Sequence, residues 1–290
     1  MPELPEVETI RRDLEKFLLG KKVKGVETRD VKVVEGSQEM WNKVLVASSL
    51  EVIRRRGKLL IFVFSNKVYL LIHLKMTGQL IFQKKSHLIA GGHSFSKKSP
   101  EKAMGGSLPN KFTRLIIDFS GSRLFFNDIR RFAYAKLTDE EGFKKVEKKF
   151  GIEPLTANFK IKNFRDVLKN RNTSIKAILL NQGLIAGLGN IYVDESLYLS
   201  AIDPRRKAKD LSKKEEERLF LNISRVLKKA IDKRGTTFSD YTDSQGNKGN
   251  FSSELKIYGK KGQKCEICGV IIEKIKLVGR GTHFCPKCQK

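Results

Sequence analysis

The sequence predicts an α+β protein of more than one domain. An N-terminal β-sandwich or barrel carries one flanking helix, a helical region follows, and a small four-cysteine unit closes the chain. Three observations carry this prediction. Short runs rich in Val, Ile and Phe fill residues 51–126. From about residue 139 the apolar period changes from strand-like to helical. All four cysteines lie after residue 264. A chain of 290 residues, 40% of them hydrophobic, has material for more than one core.

Taken in order, residues 4–19 place Leu4, Val7, Ile10, Leu14, Phe17 and Leu18 at helical spacing, with Gly20 as the stop. Pro5 fits a first turn, where its missing N–H has no intrahelical partner. Strands are expected at 51–54, 59–64, 68–74, 79–83, 112–119 and 123–126, with hairpin turns at SNKV (65–68) and SGSR (120–123). Residues 84–110 hold five Ser, five Lys and four Gly and read as a long loop, either a solvated insertion or a segment that folds on nucleic acid. Helices are expected at 139–149, 160–169, 174–182 and 190–200. Another follows the Ser212/Glu215 capping box, with Leu219, Phe220, Ile223, Val226, Leu227, Ala230 and Ile231 on its apolar face. Residues 235–251 are polar and Gly-rich, a flexible loop. The expected domains are 1–138, 139–235 and 236–290.

Charge narrows the partner. Lys and Arg total 58 against 32 Asp and Glu, a formal net charge of +26. Such a chain attracts polyanions. Basic clusters recur at 21–24, 54–58, 130–131, 144–149, 205–209 and 258–264, so the excess is spread rather than confined to a tail. A plain solvated surface and a membrane-surface protein are the other readings of such charge; nucleic acid fits it better. No apolar run approaches the roughly 20 residues a bilayer span needs. No secretory signal is visible at the N-terminus, and late, clustered cysteines suit a reducing compartment, so a cytoplasmic location is expected.

Cys265-Glu-Ile-Cys268 and Cys285-Pro-Lys-Cys288 repeat a C-x2-C spacing. Four thiolates suit one tetrahedral Zn²⁺, and with every position filled by sulfur the ion is structural. Val270–Ile275 is expected to form a strand of the hairpin between the pairs. Its tip, VGRGTHF, sets Arg280 between glycines. That arginine is a candidate for phosphates or the minor groove, or a surface residue without a role.

The chain opens PELPE after Met1. Removal of Met1 before a small residue would leave Pro2 as a free secondary amine. An α-amine has a reference pKa of about 7.7–8.0, so a useful fraction is unprotonated at neutral pH. Attack on a sugar C1′ would give an iminium, an electron sink for elimination. Glu3 and Glu6 fall where a helix dipole favours carboxylates, or serve as general acid and base. On the residues alone, PELPE can also be nothing more than a helix start.

PELPEVET at the start, RRGK at 55–58, LIHLKMTG at 71–78, NDIRRFA at 127–133, GLGNIYVDE at 187–195, ELKIYGKKGQKC at 254–265 and the four-cysteine finger follow one another along nearly the whole chain. In this order they resemble the bacterial formamidopyrimidine-DNA glycosylases, the Fpg/MutM family of oxidised-purine repair. The resemblance implies an N-terminal β-sandwich, a C-terminal helix–two-turn–helix domain with the zinc finger, and DNA in the cleft between them. It implies Pro2 as nucleophile, Glu3 as acid/base on the deoxyribose, Glu6 in support, and Lys58 as an aid to protonation that also touches DNA. Met76, Arg130 and Phe132 would fill the hole left by an extruded base, although Phe132 by itself reads as a core residue. His73, Lys176, Asn190 and Arg280 fall at phosphate-binding positions; Asn190 follows GLG at a helix start, where its side chain can cap.

The implied activity is a DNA glycosylase/AP lyase acting on damaged double-stranded DNA as a monomer. It would remove 8-oxoguanine and formamidopyrimidines and complete β,δ-elimination. The rivals are an endonuclease VIII-like enzyme for oxidised pyrimidines, which typically opens PEGPE, and a non-catalytic DNA-binding homologue. Leu4 and Met76 favour the purine enzyme; intact Pro2, Glu3 and Lys58 speak against the homologue without chemistry. Two departures stand out: the long 84–110 segment, and Phe112 where the family usually has histidine. The 235–251 loop resembles the flap over a flipped purine.

Overall fold

The computed structural model describes residues 1–84, 87–92, 100–236 and 251–290. It divides into two units, residues 1–148 with 233–252, and residues 149–232 with 253–290.

The first unit begins with helix α1 (Leu4–Leu18). Its stripe of Leu4, Val7, Ile10, Leu14 and Leu18 is buried. A capping box opens it: the Glu3 N–H donates to Glu6 Oε2 at 2.9 Å, and the Glu3 side chain accepts from the main chain of Glu6. Leu19 caps the other end, followed by Gly20 at φ +73°. Then come β1 (Val23–Thr28), α2 (Gln38–Leu45), β2 (Leu50–Arg56), β3 (Leu59–Phe64), β4 (Tyr69–His73), β5 (Gly78–Lys84), β6 (His87–Gly92), α3 (Pro100–Ala103), β7 (Thr113–Phe119), β8 (Ser122–Asp128), β9 (Tyr134–Thr138) and α4 (Glu140–Glu147).

The strands form two antiparallel sheets, ordered β1-β7-β8-β5-β6 and β2-β3-β4-β9. Alternate side chains build the core. Leu60, Phe62, Phe64, Leu70 and Ile72 come from one sheet, and Leu80, Phe82, Leu115, Ile117, Leu124 and Phe126 from the other. Val7, Ile10, Leu14 and Leu18 of α1 join them, so the expected sandwich with a flanking helix is present. Glu8 ties α1 to β2 by accepting from Arg55 at 3.0 Å, and it also bonds Arg11 and Arg12. Burial works to raise its pKa, but the three arginines outweigh this and hold it at about 2.

Residues 84–110 depart from the expected loop. β6 adds an edge strand to β5, in register from Lys84↔His87 to Gln79↔Gly92. Ala103 and Met104, with Leu88 and Leu108 beside them, cover the sheet's other face at Ile81, Ile116 and Phe125. The polar, Gly-rich composition hid a strand whose pairing is supplied by β5. At Gly92, φ is +118° and a Cβ would lie 2.3 Å from the Gly78 carbonyl oxygen, so glycine is required there. Residues 85–86 and 93–99 of this segment lie outside the described residues.

The second unit holds α5 (Ile161–Leu168), α6 (Ile175–Leu180), α7 (Asn190–Leu199), α8 (Lys213–Asp232), and a hairpin of β10 (Glu273–Leu277) and β11 (Arg280–Phe284). The helices match the expected periodicity. Leu219, Ile223, Val226, Leu227 and Ala230 are the buried stripe of α8, and Ser212 with Glu215 bonds reciprocally at its start. The finger strand begins at Glu273 rather than Val270. Before it, Ile271 makes an isolated bridge to Lys264 and Cys265 N–H donates to the Val270 carbonyl, so these residues belong to the cysteine knuckle. Among the described residues, no helix is long and apolar enough to cross a membrane.

Candidate functional site

At the head of α1, Pro2 is buried and Met1 is exposed. Glu3 and Glu6 are buried, 3% and 0% exposed. Both carboxylate oxygens of Glu6 are engaged: Oε2 takes the Glu3 N–H, and Oε1 takes the N–H of Thr236 at 2.8 Å and its hydroxyl at 3.0 Å. Arg234 reaches Asp13 of the same helix at 2.5 Å. Residues 234–236 are thereby fastened along α1 at two points, Glu6 and Asp13. Sequence reasoning did not find Thr236, Arg234 or Asp13, because nothing local marks a partner so distant along the chain. The rest of the expected flap, 237–250, lies outside the described residues.

Lys58 sits in the two-residue turn joining β2 to β3, where Arg56 pairs with Leu59 and Gly57 takes φ +57°. It is buried. Leu59 pairs with His73, so Lys58 and His73 share one end of the four-stranded sheet. Burial, then the positive charges of Lys75 and Lys58, push the His73 pKa down to about 3. The Lys75 N–H donates to His73 Nδ1 at 3.0 Å, so the ring proton of the neutral form belongs on Nε2. A neutral donor that does not titrate near neutrality suits a phosphate oxygen. By NMR the His73 ring should therefore show no titration between about pH 5 and 8; a midpoint near 6.5 would contradict this environment. The folded pKa lies below the unfolded value, so this ring's contribution to stability is present above about pH 6.5 and lost as pH falls toward 3.

Met76, Arg130 and Phe132 come from two loops and meet at the surface. Arg130 Nη1 lies 3.3 Å from Met76 Sδ, and its guanidinium sits 4.6 Å from the centroid of the Phe132 ring. Phe132 is 55% exposed and Met76 40%, so neither is a core residue. Buried Asp128 holds both loops: one oxygen takes the Thr77 hydroxyl, the other the Ala133 N–H at 2.8 Å. Thr77 Oγ1 in turn accepts from the Arg130 N–H at 3.1 Å, and Arg114 grips the Asp128 carbonyl. Arg131, in a left-handed conformation at φ +57°, pairs with Asp30 at 2.6 Å. Phe112, where the resemblance leads to the expectation of a histidine, is half-buried beneath Lys111, whose ammonium lies 5.2 Å from its ring.

In the second unit Gln182 braces the turn before α7, accepting from Gly187 N–H at 2.9 Å and donating to the Leu188 carbonyl at 2.8 Å. Asn190 is the first residue of α7, and Gly189 is the cap, so the Asn190 side chain does not cap the helix. It donates to the Gly281 carbonyl at 2.8 Å instead. Arg280, beside Gly281, is exposed where β11 begins. Lys176 is placed unlike the other expected phosphate ligands: its side chain has no exposed surface and its ammonium is 2.5 Å from Asp194. Adjacent Glu195 accepts from the N–H groups of Lys256, Ile257 and Tyr258 at 2.8–3.1 Å. Burial pushes its carboxyl pKa up against those three bonds.

The ligating atoms of Cys265, Cys268, Cys285 and Cys288 all lie within 4.8 Å of one another. Cys265 and Cys288 sulfurs are 3.8 Å apart, and those of Cys268 and Cys285 3.5 Å. A tetrahedron with Zn–S of about 2.3 Å has edges of about 3.8 Å, so the cage fits zinc, while a disulfide would need about 2.05 Å. The four cysteines hold one structural Zn²⁺. The Tyr198 hydroxyl lies 3.1 Å from Cys265 Sγ, a further contact to the cage from α7.

Comparison with known proteins agrees along the whole chain. Residues 1–135 match the profile of the formamidopyrimidine-DNA glycosylase N-terminal domain, 150–242 that of its H2TH domain, and 262–290 the zinc finger found in FPG and IleRS. The chain is 40% identical to the formamidopyrimidine-DNA glycosylase of Streptococcus mutans and 37% to that of Listeria innocua, each over 100% of both chains. Among solved structures it resembles a Lactococcus lactis FPG mutant in complex with DNA containing Fapy-dG, with a TM-score of 0.86 and 36% identity over 100% of both chains. It also resembles the Lactococcus lactis Fpg complex with abasic-site DNA, with a TM-score of 0.85 and 37% identity over 99% of both chains.

Proposed function

The chain belongs to the formamidopyrimidine-DNA glycosylase family, and from that premise we propose that it excises oxidised purines, 8-oxoguanine and formamidopyrimidines, from duplex DNA and cleaves the resulting abasic strand. The observation that carries this reading is the intact head of α1. Pro2 stands directly before a buried Glu3, and Glu6 closes the cap with one oxygen and holds Thr236 with the other. With its oxygens so engaged, Glu6 supports the cap rather than transferring protons, and Glu3 is the acid/base.

Once Met1 is removed, the Pro2 nitrogen lone pair attacks C1′ as the base departs with its glycosidic electrons. The Pro2 N–H proton is lost to the departing base, Glu3 protonates the sugar ring oxygen, and the nitrogen lone pair breaks the C1′–O4′ bond, so that the ring opens and an iminium forms between Pro2 and C1′. Loss of a C2′ proton expels the 3′ phosphate, and a second elimination expels the 5′ phosphate, leaving a one-nucleotide gap. Lys58, in its turn near His73, supplies positive charge beside the lesion. Met76, Arg130 and Phe132 occupy the emptied stack: the apolar side chains prop the neighbouring bases and the guanidinium faces the orphaned base. His73, Asn190 and Arg280 bind phosphates. The enzyme acts as a monomer in a bacterial cytoplasm.

The test is borohydride trapping of the purified, zinc-loaded protein on duplexes carrying 8-oxoguanine, an oxidised pyrimidine or an abasic site, with the adduct mapped by peptide sequencing. A purine adduct through N-terminal proline is the expected result. An adduct on the oxidised pyrimidine but not the purine would overturn the lesion assignment. No adduct on any duplex, with Met1 absent and zinc bound, would overturn the chemistry.

A further inference from the structure

Lys176 and Asp194 form a fully buried ion pair, and the chemistry at Pro2 gives them no task. Asp194 is 1% exposed and Lys176 0%. One Asp194 oxygen takes the Lys176 ammonium of α6 at 2.5 Å. The other takes the main-chain N–H of His283, in β11, at 2.9 Å. Four residues earlier on α7, Asn190 donates to the Gly281 carbonyl at 2.8 Å. The two fastenings are in step. Four residues of helix advance about 6 Å and two residues of strand about 6.6 Å, so positions 190 and 194 meet 281 and 283. Arg280 is the next residue along this fastened strand.

We propose that Asp194, neutralised by Lys176, is a positioning residue for phosphate recognition: it locks β11 to α7 so that Asn190 and Arg280 are presented as one rigid pair. This rests on the reading of Asn190 and Arg280 as phosphate ligands. Lys176 thereby acts through Asp194, in place of the direct phosphate contact expected from the resemblance. A carboxylate is needed because two donors, from two separate elements, must each find an oxygen. A lone buried carboxylate would carry a desolvation penalty, and Lys176 offsets it. The pair gives no net stability that an apolar pair could not, so its worth lies in fixing one arrangement.

The test uses the full chain with zinc and a duplex bearing a tetrahydrofuran abasic analogue, titrated at several salt concentrations. In K176M/D194N the amide oxygen still accepts from His283, so affinity should stay within about twofold and the salt slope unchanged. In K176M/D194L the acceptor is gone. Affinity should fall about tenfold and the log–log slope should flatten by about 0.9 for each phosphate that the protein no longer neutralises. Arg280→Ala should then cost less in the Leu background than in the wild type.

Normal affinity and slope for K176M/D194L would overturn the proposal. So would a flattened slope for K176M/D194N, because Lys176 would then be a phosphate ligand itself. Hydrogen exchange on the unmodified protein needs no variant: the His283 amide should be among the slowest in the finger, and fast exchange would remove the tether outright. Wild-type affinity for both Arg280→Ala and Asn190→Ala would instead overturn the phosphate-ligand reading, leaving the exchange result to stand on its own.

Discussion

Protein produced with methionine aminopeptidase inhibited, so that Met1 stays joined to Pro2, should form no borohydride-stable adduct with abasic DNA. Its affinity for the same duplex should stay within about twofold of the processed chain. The rest of the sequence is unchanged, so the two chains differ only by Met1, whose own α-amine lies one residue away from the Pro2 nitrogen. In a Met1–Pro2 peptide bond the proline nitrogen is an amide whose lone pair is delocalised. Free, it is a secondary amine in the pKa range of α-amines, about 7.7–8.0. The fold does not depend on the outcome: the helix starts at Leu4, the cap is closed by Glu3 and Glu6, and Met1 is 44% exposed. Removing the nucleophile while leaving binding intact should lower the lyase rate at least about a thousandfold. An adduct in normal yield from the Met1-bearing chain would mean another amine does the chemistry, with the Met1 α-amine and Lys58 the first to map.

The second large effect concerns the metal. Cys268→Ser should release zinc and weaken duplex binding at least about a hundredfold, because structural zinc contributes roughly 10–16 kcal/mol and that binding energy is folding energy. The finger has little else to fold around. Its buried cluster is Tyr198, Ile257, Ile272, Cys265 and Cys285, and two of these five are ligands. The β-sandwich has its own large core of residues such as Phe62, Phe82 and Phe126, so its melting transition should persist. Zinc content by atomic emission, read beside salt-dependent binding, checks both parts. A zinc-free variant that binds DNA normally would show that the finger has no part in the interface.

Much of the fold was legible because core strands announce themselves. LLIFVF at 59–64 and the apolar runs LIF at 80–82 and LII at 115–117 fit a sandwich core. The edge strands were harder. VKGVET of β1 and YAKLT of β9 bury only some of their side chains, and HLIAGG of β6 lies inside a Ser-, Lys- and Gly-rich segment. Such strands exist because a neighbour's hydrogen-bonding edge is free, which the local sequence does not record. The metal cage was readable from spacing alone, since two C-x2-C turns leave sulfur few alternatives.

The side chains of the candidate site divide in the same way. That Glu3 and Glu6 would sit at a helix N-terminus was legible; that Glu6 closes the Glu3 cap came only with the structure. That Arg130 would meet Met76, 54 residues away, was not legible locally, and only the resemblance suggested it. The resemblance put Lys176 at a phosphate-binding position, and nothing in the local sequence marks Asp194, 18 residues on, as the partner of its ammonium inside the protein.

Arg130 lies against both Met76 and the Phe132 ring, so the three side chains form one cluster. This bears on the speed of search. If this cluster enters the stack as proposed, side chains that pack on one another give up little conformational freedom in doing so. The barrier at each base step then lies almost wholly in the DNA, in how easily that step unstacks and kinks. A reader of this kind moves past stiff, well-stacked sequence quickly and pauses where the duplex yields. On the proposed role of Met76, Arg130 and Phe132, the first discrimination between damaged and sound DNA would be made by the mechanics of the duplex, before any atom of the lesion is touched.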